Sequence, residues 1–429
     1  MTAALPHPSP TLAKSRFTFL ERVFFLILAV HFFYPFFYHP LDRLFSDFGR
    51  HWNNGESLFS PSFTRGLDPP AYQFYIYLVR TLAGDSRFGI ALATGILCAL
   101  LPWLWQQIAL ELGLPKKRAL LCGICVGVVP SLFLMYSFFM NETLLLVLTS
   151  AGILISLKYW RQPTDRLLIW QTLVWTFAAL CKLQALPMAM VFYGMSLWRG
   201  RPPLRKLAAA FALIAIIVVS AGLRNGISAG FFAPFGTPIL NTIYSRSEAR
   251  KLVVHIDKRV HYWFVSSAMM QLPLAPFSDW KTARQGSVHV RVETAHGQKD
   301  WEETLTQYPI TVDGYMQNLK ENFVFFFFGV AWPENVSPYK RINFYSRFIW
   351  FPLTLFVAIG ALLAWRRLER EQKFLLLVTA FMIGGLLFQY NTLMEGRFRK
   401  PVEPLLIASA FLVAAGLRRE ARMEPPPTL

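Results

Sequence analysis

Apolar residues along this chain gather into runs about as long as a bilayer core is thick, separated by short polar or basic connections. A helix crossing the hydrocarbon needs roughly 20 mostly apolar residues. Ten such runs fall at about 20–38, 88–110, 118–138, 142–158, 166–181, 183–198, 205–223, 347–365, 373–390 and 402–417. Inside lipid every backbone N–H and C=O must be paired within the protein, so each run predicts a helix. The pattern therefore predicts an all-α polytopic membrane protein of about ten transmembrane helices. Between the seventh and eighth runs, residues 224–346 are mixed in character and long enough for a small subdomain. Within them, Phe323-Val324-Phe325-Phe326-Phe327-Phe328 is too short to span; it predicts a segment that lies in the interface or dips against the bundle.

Composition sharpens this picture. Of 429 residues, 54% are hydrophobic and 16% charged, with a mean hydropathy of +0.37. Soluble domains carry about 25% charged residues, so a soluble enzyme is excluded. The net charge of +18 would suggest nucleic acid in a soluble protein, but the positions of the cations explain it differently. With the N-terminus inside, twenty Lys and Arg fall in the inner connections against nine in the short outer ones. That asymmetry is the orientation signal of a membrane protein, with both termini cytoplasmic. No nucleic-acid partner is expected. Cys98, Cys122, Cys125 and Cys181 all sit in apolar runs, and Cys122-x-x-Cys125 lacks a second ligand pair, so it reads as membrane-buried small residues rather than a zinc site. The polar, Pro-rich stretch from Met1 to Lys14 predicts no cleavable signal peptide. Three units follow: a seven-helix module over 1–223 with a first outer loop at 39–87, an extracytoplasmic segment at 224–346, and a three-helix module over 347–429.

Polar chemistry concentrates on the outer side. The first loop reads Ser46-Asp47-Phe48-Gly49-Arg50-His51-Trp52, then Gly66-Leu67-Asp68-Pro69-Pro70-Ala71-Tyr72, and continues as an amphipathic aromatic stretch through Arg80. A carboxylate set among aromatics just outside a helix can be partly desolvated and act as a general base. Alternatively Asp47 caps a helix or pairs with Arg50. His51 either orients an acceptor or packs at the interface. At the turn between the third and fourth runs, Glu142 follows Asn141, which on the structural reading caps the fourth helix. The last loop reads Glu395-Gly396-Arg397-Phe398-Arg399-Lys400-Pro401-Val402-Glu403-Pro404. Its three clustered cations run against the orientation rule. Arg397 and Arg399 offer planar forks suited to phosphate oxygens, or anchor ordinary headgroups. An extended backbone there would put both on one face. Lys182, at the turn between the fifth and sixth runs, either reaches a phosphate or snorkels. His255, His261, His289 and His296 lack metal-ligand spacing, and Asp300-Trp301-Glu302-Glu303 reads as a solvated helix start. Asn141-Glu142-Thr143 and Asn335-Val336-Ser337 match the glycosylation triplet.

A base, a second carboxylate and an Arg cluster on one membrane face suit sugar transfer from a lipid phosphate. The leaving phosphate has a low pKa and needs no general acid, so one carboxylate plus cationic stabilisation suffices. A soluble nucleotide-sugar donor would lie on the cytoplasmic side. The Ser-Asp-Phe loop with Asp-Pro-Pro-Ala-Tyr, the Asn-Glu turn and the Glu-Gly-Arg-Phe-Arg-x-Pro segment resemble the GT-C superfamily of membrane glycosyltransferases. Within it they are similar to bacterial enzymes using polyprenyl-phosphate sugars, including protein mannosyltransferase-like and polyprenol-phosphate-mannose-dependent groups. The resemblance implies a GT-C-type bundle with a catalytic first outer loop, and a large outer segment between helices seven and eight. It puts Asp47 where the family's catalytic Asp lies and Arg397 or Arg399 where a lipid-phosphate contact lies. Glu142 takes the second-loop acidic position, where many relatives have an Asp or an acidic pair. His51, Asp68 and Lys182 complete the candidate substrate-binding set, with no metal and no cofactor. The implied protein is an inverting transferase with Asp47 as general base, a multi-pass protein of a bacterial inner membrane with its active site on the extracytoplasmic side. Its partners are a polyprenyl-phosphate-linked sugar, a lipid, glycan or protein acceptor, and membrane lipids. Mannose, an aminosugar or a pentose would all fit. The rival class is a lipid-linked glycan flippase, but transporters carry broken helices and midplane charges, whereas these runs are nearly free of charge. A membrane-anchored assembly protein would leave the Asp47 and Arg397 groups unexplained.

Overall fold

Thr18 opens the first helix with a capping box: its hydroxyl accepts from the Glu21 backbone N–H, and the Glu21 carboxylate accepts from the Thr18 backbone N–H at 2.7 Å. The computed structural model describes residues 18–44, 46–59, 70–136, 138–229, 232, 234–235, 312–329, 346–388 and 396–421. Among the described residues there are fourteen α-helices and no strand: α1 (Phe19–Phe37), α2 (Ser46–Asn54), α3 (Pro70–Ala83), α4 (Arg87–Glu111), α5 (Lys116–Gly127), α6 (Pro130–Met135), α7 (Asn141–Arg161), α8 (Asp165–Cys181), α9 (Leu186–Gly200), α10 (Leu204–Ala229), α11 (Val312–Phe328), α12 (Trp350–Ala364), α13 (Arg370–Leu387) and α14 (Glu403–Ala421). The all-α polytopic expectation is borne out. Each predicted run coincides with helix, and five helices (α1, α4, α7, α10, and the helical stretch Arg347–Arg367) are long and apolar enough to cross a bilayer on their own. Most of the 224–346 segment lies outside the described residues. So do His255, His261, His289, His296, Asp300–Glu303 and the Asn335 triplet.

One predicted span departs from the single helix its hydropathy suggests. The run at 118–138 is two helices, α5 and α6, broken at Val128 and Val129 before Pro130. Proline has no N–H to continue the ladder and fits the first position of a new helix. The break frees carbonyls at the end of α5, and His31 of α1 answers one, its Nε2 lying 2.7 Å from Gly127 O.

Exposure identifies the centre and rim of the bundle. In α7, 78% of the most apolar stretch is buried, against 11% in α10 and 17% in α1. So α7 runs through the middle, and α1 and α10 present Phe25, Phe33, Ile216 and Leu223 outward, which only lipid tails would favour. Within lipid, helices associate through close packing and interhelical hydrogen bonds. At Gly95 of α4 an added Cβ would come within 2.2 Å of Phe32 O on α1, so only glycine permits that approach. Trp175 of α8 donates to Ser156 of α7 at 3.0 Å, Thr172 of α8 pairs with Tyr193 of α9 at 2.8 Å, and Thr379 of α13 meets Ser409 of α14 at 3.1 Å. The phenylalanine-rich stretch forms the end of α11. Phe325, Phe326 and Phe327 are buried there, and Phe327 meets Phe351 edge-on. Of the two sequence expectations for it, dipping against the bundle is the one observed.

Candidate active site

The segment between α1 and α4 is anchored before α2 and α3 begin. Arg87, at the start of α4, grips Asp42 through both guanidinium arms, at 2.7 and 2.8 Å, and this keeps the Asp42 carboxyl below its ordinary pKa. The pair is more than half exposed, so its part is to fix geometry rather than to add much stability. The imidazole of His39 lies 2.9 Å from Arg87 O on the same junction.

Beyond this anchor, α2 packs through aromatic contacts onto the turn that precedes α7. Phe48 meets Phe138 at 4.5 Å between centroids, and Trp52 stacks on Phe139 at 4.8 Å. Helix α3 then covers α2. The Arg80 guanidinium lies over the Trp52 ring and donates to Trp52 O at 2.9 Å, and the His51 ring sits edge-on to Tyr72 at 5.0 Å. Asp47 stands in the first turn of α2, one helical turn before His51. Asp68 lies outside the described residues.

Tyr72 links the loop to the bundle. Its hydroxyl is raised well above the ordinary pKa by burial, with smaller contributions from Tyr75, Cys181 and Glu142, and so stays protonated. Glu142 is 2% exposed in the first turn of α7, where the helix dipole favours a carboxylate. Lys182, just past the end of α8, donates to Glu142 Oε1 at 2.6 Å. Both sequence readings of Lys182 missed this partner. Asn141 does not cap α7: the cap position is Met140, with no side-chain hydrogen bond, and Asn141 is the first helical residue.

The turn before α14 closes this end of the bundle. Lys182 Nζ lies 4.9 Å from the centre of the Phe398 ring, and Gln184 donates to Phe398 O at 2.7 Å. Residues Gly396–Arg399 form a 3-10 turn rather than an extended strand. Arg399 is 1% exposed. It donates to Glu403 Oε1 at 2.8 Å and to Phe326 O, and stacks over Trp350. Lys400 and Glu403 are fully buried beside it, 3.9 Å apart, and Ser131 of α6 donates to the other Glu403 oxygen at 3.1 Å. The Arg399 fork is thus engaged inside the protein, where it fixes the turn that carries Arg397.

The structure therefore brings His51, Glu142, Lys182 and the Gly396–Arg399 turn to one end of the bundle, with Asp47 on the helix that carries His51. Sequence reading did not single out Tyr72, Gln73 or Thr143. Gln73 is 2% exposed with neither amide atom hydrogen-bonded, and the Thr143 hydroxyl is likewise buried and unpaired. Buried polar groups are normally satisfied, so a buried, unsatisfied amide one residue from Tyr72 has capacity to bind hydroxyl-rich ligands. An isolated polar position inside the aromatic stretch at 72–80 was the available signal. Among the described residues no three His, Cys, Asp or Glu side chains gather as a metal site.

Apolar helices with a cluster of charged and aromatic groups at one end are the framework of an integral membrane enzyme. Residues 68–223 match the family described as dolichyl-phosphate-mannose-protein mannosyltransferase. The match runs from just before α3 into α10 and includes Glu142 and Lys182. It starts after Asp47 and ends before Arg397. It bears out the GT-C resemblance over those residues and supports a membrane glycosyltransferase drawing its sugar from a polyprenyl-phosphate carrier. No curated protein matches the chain.

Proposed function

We propose that the chain transfers a sugar, mannose in the first instance, from a polyprenyl-phosphate carrier to an acceptor hydroxyl on the extracytoplasmic face, with inversion. The observation that carries this reading is the Glu142–Lys182 pair, held between the first-loop helices and the Phe398 turn. It sets a cation, a carboxylate and aromatic surface at one mouth of the bundle, within the matched region. Asp47 takes the acceptor proton as the hydroxyl oxygen attacks the anomeric carbon. The bond from that carbon to the phosphate oxygen breaks, and polyprenyl phosphate leaves as an anion. One displacement gives one inversion. Lys182 spends one of its three donors on Glu142 and has two for the phosphate. Arg397 supplies a planar fork to the same phosphate, and Arg399 positions the turn. His51, Gln73 and Asp68 bind and orient the acceptor. In this reading 1–223 binds donor and acceptor, 224–346 shapes acceptor choice, and 347–429 delivers the Arg397 turn.

Arg397→Ala is expected to weaken binding of polyprenyl-phosphate mannose by about tenfold or more, because a charge-assisted bond is lost. Arg397→Lys should recover only part of this, since the charge stays but the fork does not. Titration of purified, folded variants with donor lipid checks this, and unchanged affinity in Arg397→Ala would remove the phosphate role. The face is tested by cysteine labelling near Ser60, Ser287 and Thr392 in intact cells. An impermeant reagent should reach all three, and labelling only after permeabilisation would reverse the orientation.

A further inference from the structure

The opposite end of the bundle holds a cavity of about 340 Å³, lined by the α4–α5 turn at Gly113, Leu114 and Pro115, by Arg118 of α5, by Gln372 of α13 and by Ala415, Gly416 and Arg418 of α14. It sits where the first module meets the last. Its shape has three local causes. Gly113 turns the chain at φ +78, a left-handed conformation that favours glycine. Gln372 is tied down, donating to Leu112 O at 2.8 Å. Ala415 and Gly416 leave the α14 wall without bulk.

We propose that this cavity binds the phosphate of an anionic phospholipid headgroup. The chemistry is complementary in two ways. The lining is largely apolar, and it includes two arginines, Arg118 and Arg418, from different helices. Arginine is the side chain suited to paired contact with phosphate oxygens. The volume is at the low end of the ~300–1,000 Å³ usual for small-molecule sites, enough for a headgroup and its glycerol but not for whole acyl chains, which would lie along the bundle. The surrounding charge agrees. Lys116, Lys117 and Arg118 occupy the first turn of α5, which has no acidic residue and no side-chain cap. Cations at that end oppose the helix dipole, and a bound anion would relieve both. Carboxylates near the lining are engaged with other groups: Glu21 pairs with Lys116, Glu111 with Arg161, and Glu369 caps α13 beside Gly113. The helix ends here mark the level at which headgroups of one leaflet lie. By the distribution of basic residues that leaflet is the inner one, opposite the proposed transfer site. A lipid seated there would bridge α5 and α14 and so join the two modules.

The test is native mass spectrometry of the full-length protein released from vesicles of phosphatidylcholine with and without phosphatidylglycerol. The wild type should retain phosphatidylglycerol in preference to phosphatidylcholine. Arg118→Ala/Arg418→Ala should lower that retention by about tenfold or more. Ala415→Leu, which fills the cavity and keeps both arginines, should lower it as well. Arg201→Ala/Arg205→Ala, at the same end but outside the lining, should leave it unchanged. Equal retention in the double alanine variant, or no preference for the anionic lipid, overturns the proposal. Displacement of the lipid by inorganic phosphate, with phosphate itself protecting the protein from thermal unfolding, would overturn the lipid assignment in favour of a free-phosphate site. The measurement contains no sugar donor, so its outcome is independent of the transferase reading.

Discussion

Replacing Asp47 by Asn is expected to lower turnover by about 10²-fold or more while donor binding persists, because the amide keeps the carboxylate's shape and cannot accept the acceptor proton. The helix that carries it should stay seated. Phe48 on Phe138, Trp52 on Phe139 and His51 on Tyr72 hold α2 through residues later in the helix, and none of these contacts involves position 47. A loss of rate can therefore be separated from a loss of fold by comparing thermal unfolding of the two proteins. Near-wild-type turnover in the Asn variant would move the base to Asp68 or Glu142. Glu142 begins with a handicap, since one of its oxygens already accepts from Lys182 at 2.6 Å.

The largest expected effect on stability lies at Glu403. Arg399, Lys400 and Glu403 are all 0–1% exposed, and the Glu403 carboxylate lies against both buried cations. Removing one partner from a buried ion pair leaves a charge without compensation, typically at a cost of about 3–5 kcal/mol. Glu403→Gln should therefore unfold at clearly lower temperature or denaturant than the wild type. It should also weaken donor binding, because the turn bearing Arg397 loses its anchor. Adding Arg399→Met to Glu403→Gln should recover part of the stability, with a coupling of about 0.5–3 kcal/mol. Wild-type unfolding in Glu403→Gln, or strict additivity in the double variant, would refute the account of this cluster.

These two sites differ in how far the sequence revealed them. The spans were legible because lipid imposes a length and an apolar composition on each one, and every predicted run lands on helix. The break at Pro130 was missed because averaged hydropathy passes over a proline, although the residue itself announces a helix start. The pairing of Arg399 with Glu403 was written locally, four residues apart at the start of a helix. The same spacing is also what a phosphate- or headgroup-binding cation cluster would show, so the pattern alone does not single out the ion pair. The Glu142–Lys182 pair and the Ser131–Glu403 bond join residues 40 and 272 positions apart. Only packing of α7 on α8, and of α14 on the α5–α6 pair, creates such contacts, and no local pattern encodes them. Asp47 was legible only as a carboxylate among aromatics in the sequence; the structure adds that it lies on the helix that carries His51.

The most direct test of the central claim is reconstitution of the purified protein in sealed vesicles with polyprenyl-phosphate mannose labelled in the sugar, together with envelope extract as the source of acceptor. The account predicts that label leaves the lipid and appears in an acceptor, with one free polyprenyl phosphate formed for each sugar moved, and that Asp47→Asn abolishes both. Label that crosses the bilayer still attached to its lipid, with no polyprenyl phosphate released, would contradict it and identify a transporter instead.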